Sequence, residues 1–120
     1  MQSLIIFFLR LESGLQNVSK HDIRISKMIR NFGDTRTARL YDGERVKGYP
    51  ADVVKSALYK LDMLNNARSL DDLRLPPGNR LEALQGDLRG FHSIRVNAQW
   101  RIVFRWHDGG AEAVRLVDYH

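Results

Sequence analysis

The chain has 120 residues, no cysteine and a formal net charge of +5. That length supports one hydrophobic core rather than two, and without thiols there can be no disulfide, thiolate catalysis or cysteine-ligated zinc. Hydrophobic (43%) and charged (28%) contents are those of ordinary globular chains, which argues against disorder. The positive charge favours an anionic partner without choosing between nucleic acid, membrane surface and acidic protein.

Residues 1–27 look unlike the rest. LIIFFL at 4–9 is apolar but too short to span a bilayer, has no basic residue before it and lacks a small-residue cleavage site. Residues 10–27 have no clear periodicity, although Ile23 and Ile25 fit a strand fragment. The segment reads as an appendage or as the product of an upstream start-codon assignment, and a domain of residues 28–120 begins at Met28. Residues 29–32 read as a short strand, and Asp34 as the N-cap of a short helix that reaches Tyr41 and is closed by Gly43. Pro50 introduces the longest helix, whose Val54, Ala57, Leu58, Leu61 and Leu64 recur at three and four and define one apolar face. Ser69 to Leu73 adds a turn before Pro76, Pro77 and Gly78 stop any helix.

Beyond that break the period falls to two. Strands are expected over 80–84, 91–96, 100–106 and 113–117, with Asp108, Gly109 and Gly110 in the last tight turn. The fold class is α+β, two layers, with N-terminal helices packed on a mainly antiparallel sheet of four to five strands.

Alternation sorts the sheet residues into two faces. Ile94, Val96, Trp100, Ile102, Phe104 and Trp106 form the apolar set; Ser93, Arg95, Arg101, Val103 and Arg105 form the other, joined by Arg80 and Glu82 if Leu81 and Ala83 point inward. From Arg80 onward every lysine-or-arginine position is arginine, including Arg89 and Arg115. Guanidinium is planar, permanently charged and forks onto phosphate oxygens. A hairpin through NAQ brings Arg95 beside Arg101. Two such cations repel unless an anion lies between them, so either Glu82 is a structural counter-ion or a phosphate binds there, and the phosphate is the preferred reading.

Metal-independent RNA cleavage needs a base for the 2′-hydroxyl, positive charge around the phosphorane and an acid for the departing 5′-oxygen. Arg95 and Arg101 supply charge; His120 titrates near neutrality; Tyr119 can stack on a base or orient phosphate; Asp118 can orient His120; Glu82 is a second proton-transfer candidate. On residue type alone, a terminal histidine is more often an exposed end than a catalyst. His92 shares parity with Ile94 and reads as a packed imidazole, His107 as a turn residue, and Phe91, Trp100, Phe104 and Trp106 as core. No histidine pair has metal-ligand spacing, and there is no phosphate-binding glycine loop or nucleophile elbow, so neither a metal nor a cofactor is expected.

The run NRLEALQGDLRGFHSIRVNAQWRIVFRW, with MIRNF before it and LVDYH at the end, resembles the HigB branch of the RelE-like toxins of bacterial type II toxin-antitoxin systems, the plasmid maintenance killer proteins. The similarity extends over residues 28–120 and is most specific in SIRVNAQWRI and VDYH. It implies a RelE-like fold and a cytoplasmic, ribosome-dependent endoribonuclease that cuts mRNA in the A site of the 70S ribosome. Neutralisation by a HigA-type helix-turn-helix antitoxin is also implied, with operator DNA reached only through that antitoxin and no membrane association. On it, Arg101 matches the family's strand arginine and Arg95 a position that is often basic, and Asp118, Tyr119 and His120 match its terminal motif. Separately, the arginine bias leads Arg80, Arg89 and Arg105 to be expected to bind RNA. Some HigB toxins carry histidine where this chain has Glu82 and lysine where it has Gln85. Glu82 is thus a substitute base, a brace for the arginines, or the mark of a slow or catalytically degenerate relative that binds antitoxin or RNA without cutting.

Overall fold

A computed structural model describes residues 28–119. Two helices, α1 (Thr35–Tyr41) and α2 (Ala51–Asn66), pack on one antiparallel sheet in the order β1 (Glu82–Ala83), β2 (His92–Arg95), β3 (Trp100–His107), β4 (Gly110–Asp118). Consecutive strands are neighbours, the simplest meander. The expectations about residues 1–27 and about His120 lie outside the described residues.

Local chemistry accounts for the helices. Asp34 caps α1, its carboxylate accepting from Thr37 N at 2.7 Å. The Thr37 hydroxyl is fully buried and accepts from Leu116 N at 3.0 Å, which ties α1 to β4. The apolar face of α2 centres on Val53, Ala57, Leu61 and Leu64, with Val54 and Leu58 only partly buried. The face is turned one residue from the expected one. These side chains meet Ile94, Ile102, Phe104, Val114 and Leu116 in the core.

The strands differ from expectation at their ends. β1 is only two residues long because a 3-10 turn at Pro77–Asn79 runs up to Arg80, whose left-handed backbone (φ 44°) prevents pairing. Strict alternation is lost there: Ala83 is exposed rather than inward, Leu81 is partly buried and Leu84 is buried. The final hairpin turns on Asp108 (φ 49°) and Gly109 (φ 75°), which leaves Gly110 as the first residue of β4. Residues 29–32 do not make a full strand. Ile29 and Phe32 form isolated parallel bridges with Ala111 and Val114, flanking a shift in β3–β4 register and a left-handed Ala113 (φ 52°).

One buried polar side chain organises the break before β1. Asn79 is fully buried; its amide donates to Leu73 O at 3.1 Å and Leu75 O at 3.3 Å, and its oxygen accepts from Lys60 Nζ on α2. Asn79→Ala would orphan two carbonyls, and a destabilisation of about 1–3 kcal/mol is expected in urea melts. Because the next residue is Arg80, whose carbonyl holds Arg101, the same change should loosen the arginine cluster on the sheet.

Candidate active site

The sheet face turned away from the helices gathers the predicted cations by register. Arg95 lies directly across from Arg101, which lies across from Val117; in the next row, Glu82, Ser93, Val103 and Arg115 are successive neighbours. Arg101 is buried to 8% exposure, whereas Glu82 is exposed. The Tyr119 ring lies 5.5 Å from the Arg101 guanidinium carbon. Arg80, Glu82, Arg95, Arg101 and Tyr119 are therefore brought together.

The charge balance of this cluster depends on Arg101. Burial pulls its guanidinium below the usual pKa, the charges of Glu82 and Tyr119 oppose that pull, and those of Arg95 and Arg80 add to it. Arginine starts high enough to remain a cation. The Glu82 carboxylate reaches it at only 3.9 Å, an ion pair without a close hydrogen bond. Close contacts come instead from neutral acceptors. Nε donates to Ser93 Oγ at 2.8 Å and Nη2 to the Arg80 carbonyl at 2.7 Å. Arg95 Nε donates to Asn97 O at 3.1 Å.

The NAQ turn positions the C-terminal end. Asn97 Oδ1 accepts from both Gln99 N and Trp100 N at 2.8 Å, closing the turn. Gln99 O then accepts from Tyr119 N at 2.6 Å, and Gln99 Nε2 donates to Asp118 Oδ2 at 3.0 Å. Asp118 is the cross-strand partner of Trp100 and so belongs to the opposite sheet face from Arg101. An orienting role of Asp118 toward His120 lies outside the described residues.

The predicted RNA-binding arginines divide. Arg80 joins the cluster through its carbonyl as well as its charge. Arg105 shares the face but lies four residues along β3, about 13 Å away, opposite Glu112 and 5.2 Å from the centre of the Phe91 ring. Phe91 is thus a support for Arg105, not a member of the core, because it precedes β2 with the parity of Ser93. Arg89 is exposed after the 3-10 turn Gly86–Leu88 and is not part of the cluster. His92 stacks on Phe104 with ring centres 6.3 Å apart, and burial first, then Arg74, lowers its pKa. Burial thus favours the neutral form of the imidazole, in line with a packing role. Ser93, Gln99 and Asn79 are site-forming residues to which sequence reasoning assigns no role. For Ser93 the signal is its parity with the arginines. No group of three or more potential metal-ligating side chains occurs among the described residues.

The same architecture occurs in a mutant of YafQ from E. coli, with a TM-score of 0.53 over 77% of this chain and 92% of that one; at 17% identity this is a likeness of fold. Residues 30–120 match the family described as RelE-like toxin of type II toxin-antitoxin system HigB. Toxin HigB-1 of Vibrio cholerae is 42% identical over 85 residues, 70% of this chain and 90% of that protein. Endoribonuclease HigB of Proteus vulgaris is 31% identical over 93 residues, 78% of this chain and all of that protein (100%). The class is a RelE-like toxin of a type II toxin-antitoxin system, and within it the chain belongs to the HigB-like family. No helix among the described residues is long and apolar enough to cross a membrane.

Proposed function

We propose that this toxin is a metal-independent endoribonuclease that cuts mRNA in the ribosomal A site and so stops translation. The observation that carries the reading is the direct cross-strand pairing of Arg95 with Arg101, with Tyr119 against the latter. Two adjacent guanidiniums on an otherwise neutral sheet row are suited to a phosphate that gains charge in the transition state. The name of the Proteus vulgaris relative supports the same chemistry. In the reaction the 2′-hydroxyl gives its proton to a general base, His120 or Glu82, as its oxygen attacks phosphorus; the bond from phosphorus to the 5′-oxygen breaks, the 5′-oxygen takes a proton, and a 2′,3′-cyclic phosphate remains. Arg95 and Arg101 stabilise the phosphorane, His120 transfers a proton, and Tyr119 and Asp118 position. Arg80, Arg89 and Arg105 guide the RNA backbone. The ribosome supplies orientation that this small site lacks. A HigA-type helix-turn-helix antitoxin in the cytoplasm neutralises the toxin and alone carries it to operator DNA.

Purified toxin added to ribosomes programmed with a defined message tests this. Cleavage confined to the A-site codon, and absent on free message, is expected. A second reading, a degenerate module that binds RNA or antitoxin without cutting, draws on the carboxylate of Glu82 beside Arg101; it requires an intact message and a bound toxin. The same assay separates the roles of Glu82. At 3.9 Å from Arg101 and half exposed, its carboxylate is placed to brace and partly neutralise a cation. Glu82→Gln is therefore expected to change the rate less than about tenfold, since an exposed pair contributes at most ~1 kcal/mol. A loss of about a hundredfold or more would make Glu82 the base.

A further inference from the structure

We infer that Ser93 is a positioning residue for this reaction: its hydroxyl and carbonyl, with the carbonyl of Arg80, lock the Arg101 guanidinium so that its remaining donors face the RNA phosphate. The inference rests on the nuclease reading and deepens it.

Ser93 is fully buried in the middle of the sheet, flanked across the strands by Glu82 on one side and Val103 on the other. A fully buried serine needs a polar partner, and Arg101 is that partner: Nε–H donates to Oγ at 2.8 Å, and Nη2 approaches the Ser93 carbonyl at 3.4 Å. The carbonyl of Arg80 takes Nη2 at 2.7 Å, and it is delivered there by the left-handed turn after the buried Asn79. These acceptors occupy the Nε and Nη2 positions of a rigid planar fork. Among the described residues no acceptor takes Nη1, so its two hydrogens are open to a ligand; Arg95 is the cross-strand neighbour and the Tyr119 ring lies 5.5 Å from the guanidinium carbon.

The acceptors are neutral. A carboxylate in the place of Ser93 Oγ would hold the guanidinium as firmly but cancel the charge that the phosphorane needs, whereas a hydroxyl fixes orientation and leaves the charge intact. Arginine otherwise has many rotamers, so holding the fork before RNA arrives removes an ordering cost from the chemical step. Ser93 contacts no substrate in this scheme; it acts through Arg101.

Three measurements on Ser93→Ala and Ser93→Thr test the assignment. Single-turnover cleavage on programmed ribosomes should fall about tenfold in Ser93→Ala with ribosome affinity within about twofold of wild type, and Ser93→Thr, which keeps the hydroxyl, should restore most of the rate. In an Arg101→Lys background Ser93→Ala should cost nothing further, because the group it positions is gone. The Arg101 Nε–H signal in nitrogen-edited NMR should be protected from solvent exchange in wild type and in Ser93→Thr, and lose that protection in Ser93→Ala. Unchanged protection in Ser93→Ala, or an equal loss of about tenfold in both backgrounds, overturns the proposal. A wild-type protein that does not cut, yet shows the same loss of protection, overturns the nuclease reading and leaves the hold on Arg101 standing.

Discussion

Arg101→Ala is expected to lower A-site cleavage by about 10²- to 10³-fold, the range for removing one preorganised donor to a developing anion. The reason is where the guanidinium sits. It is buried, directly opposite Arg95, and tied through Nε and Nη2 to Ser93 and Arg80. Truncation removes transition-state charge and also strands the Ser93 hydroxyl and the Arg80 carbonyl, so stability should fall by about 1–3 kcal/mol. The two effects separate in Arg101→Lys. Lysine keeps the charge but carries its three donors on one nitrogen, without the planar fork that spans Ser93, Arg80 and a phosphate together. A folded Arg101→Lys protein that cuts at least about tenfold more slowly is the expected result, read from single-turnover rates beside thermal melts. A lysine variant as fast as wild type would show that only charge matters here and that the fixed fork does not.

The contrast between Arg101 and Asn79 shows what a sequence exposes and what it conceals. Strand parity puts Arg95 and Arg101 on one face, and the hairpin turn makes them neighbours, because period-two alternation depends only on local backbone geometry. The α+β layering and the three long strands are legible for the same reason. The acceptors that hold Arg101 are not. Its tightest contact is to a main-chain carbonyl twenty-one residues earlier, and every residue carries a carbonyl. That carbonyl is aimed by a left-handed arginine after a buried asparagine, a conformation stabilised by long-range contacts to α2 rather than by propensity. Alternation alone overextends β1, because its sequence alternates well enough while the turn before it consumes its first residues. Residue type alone sends Phe91 to the core, although its own parity places it with the arginines. The bulge that stops residues 29–32 from pairing continuously has no local signature: Ala113 is an ordinary residue in a left-handed conformation.

His120→Ala carries the other large expected effect. The two arginines can stabilise charge but neither can exchange a proton near neutrality, and His92 is stacked on Phe104 with its pKa lowered. Glu82 is paired, loosely, with Arg101. In the proposed reaction His120 protonates the departing 5′-oxygen or accepts from the 2′-hydroxyl, imidazole being the side chain type that exchanges protons near neutrality. The preceding residue is held at the cluster by Gln99, whose carbonyl accepts from Tyr119 N at 2.6 Å while the Tyr119 ring meets Arg101. Removing the imidazole should lower the rate by about 10²- to 10⁴-fold, the usual contribution of a positioned acid or base, and should flatten the limb of the pH–rate profile that lies near pH ~6.5. Ribosome affinity should change little, because proton transfer is realised only in the transition state. Free imidazole added to the alanine variant should restore part of the rate. An alanine variant with the wild-type rate and pH profile would remove His120 from the chemistry, and together with a large loss in Glu82→Gln would transfer proton transfer to the carboxylate beside Arg101.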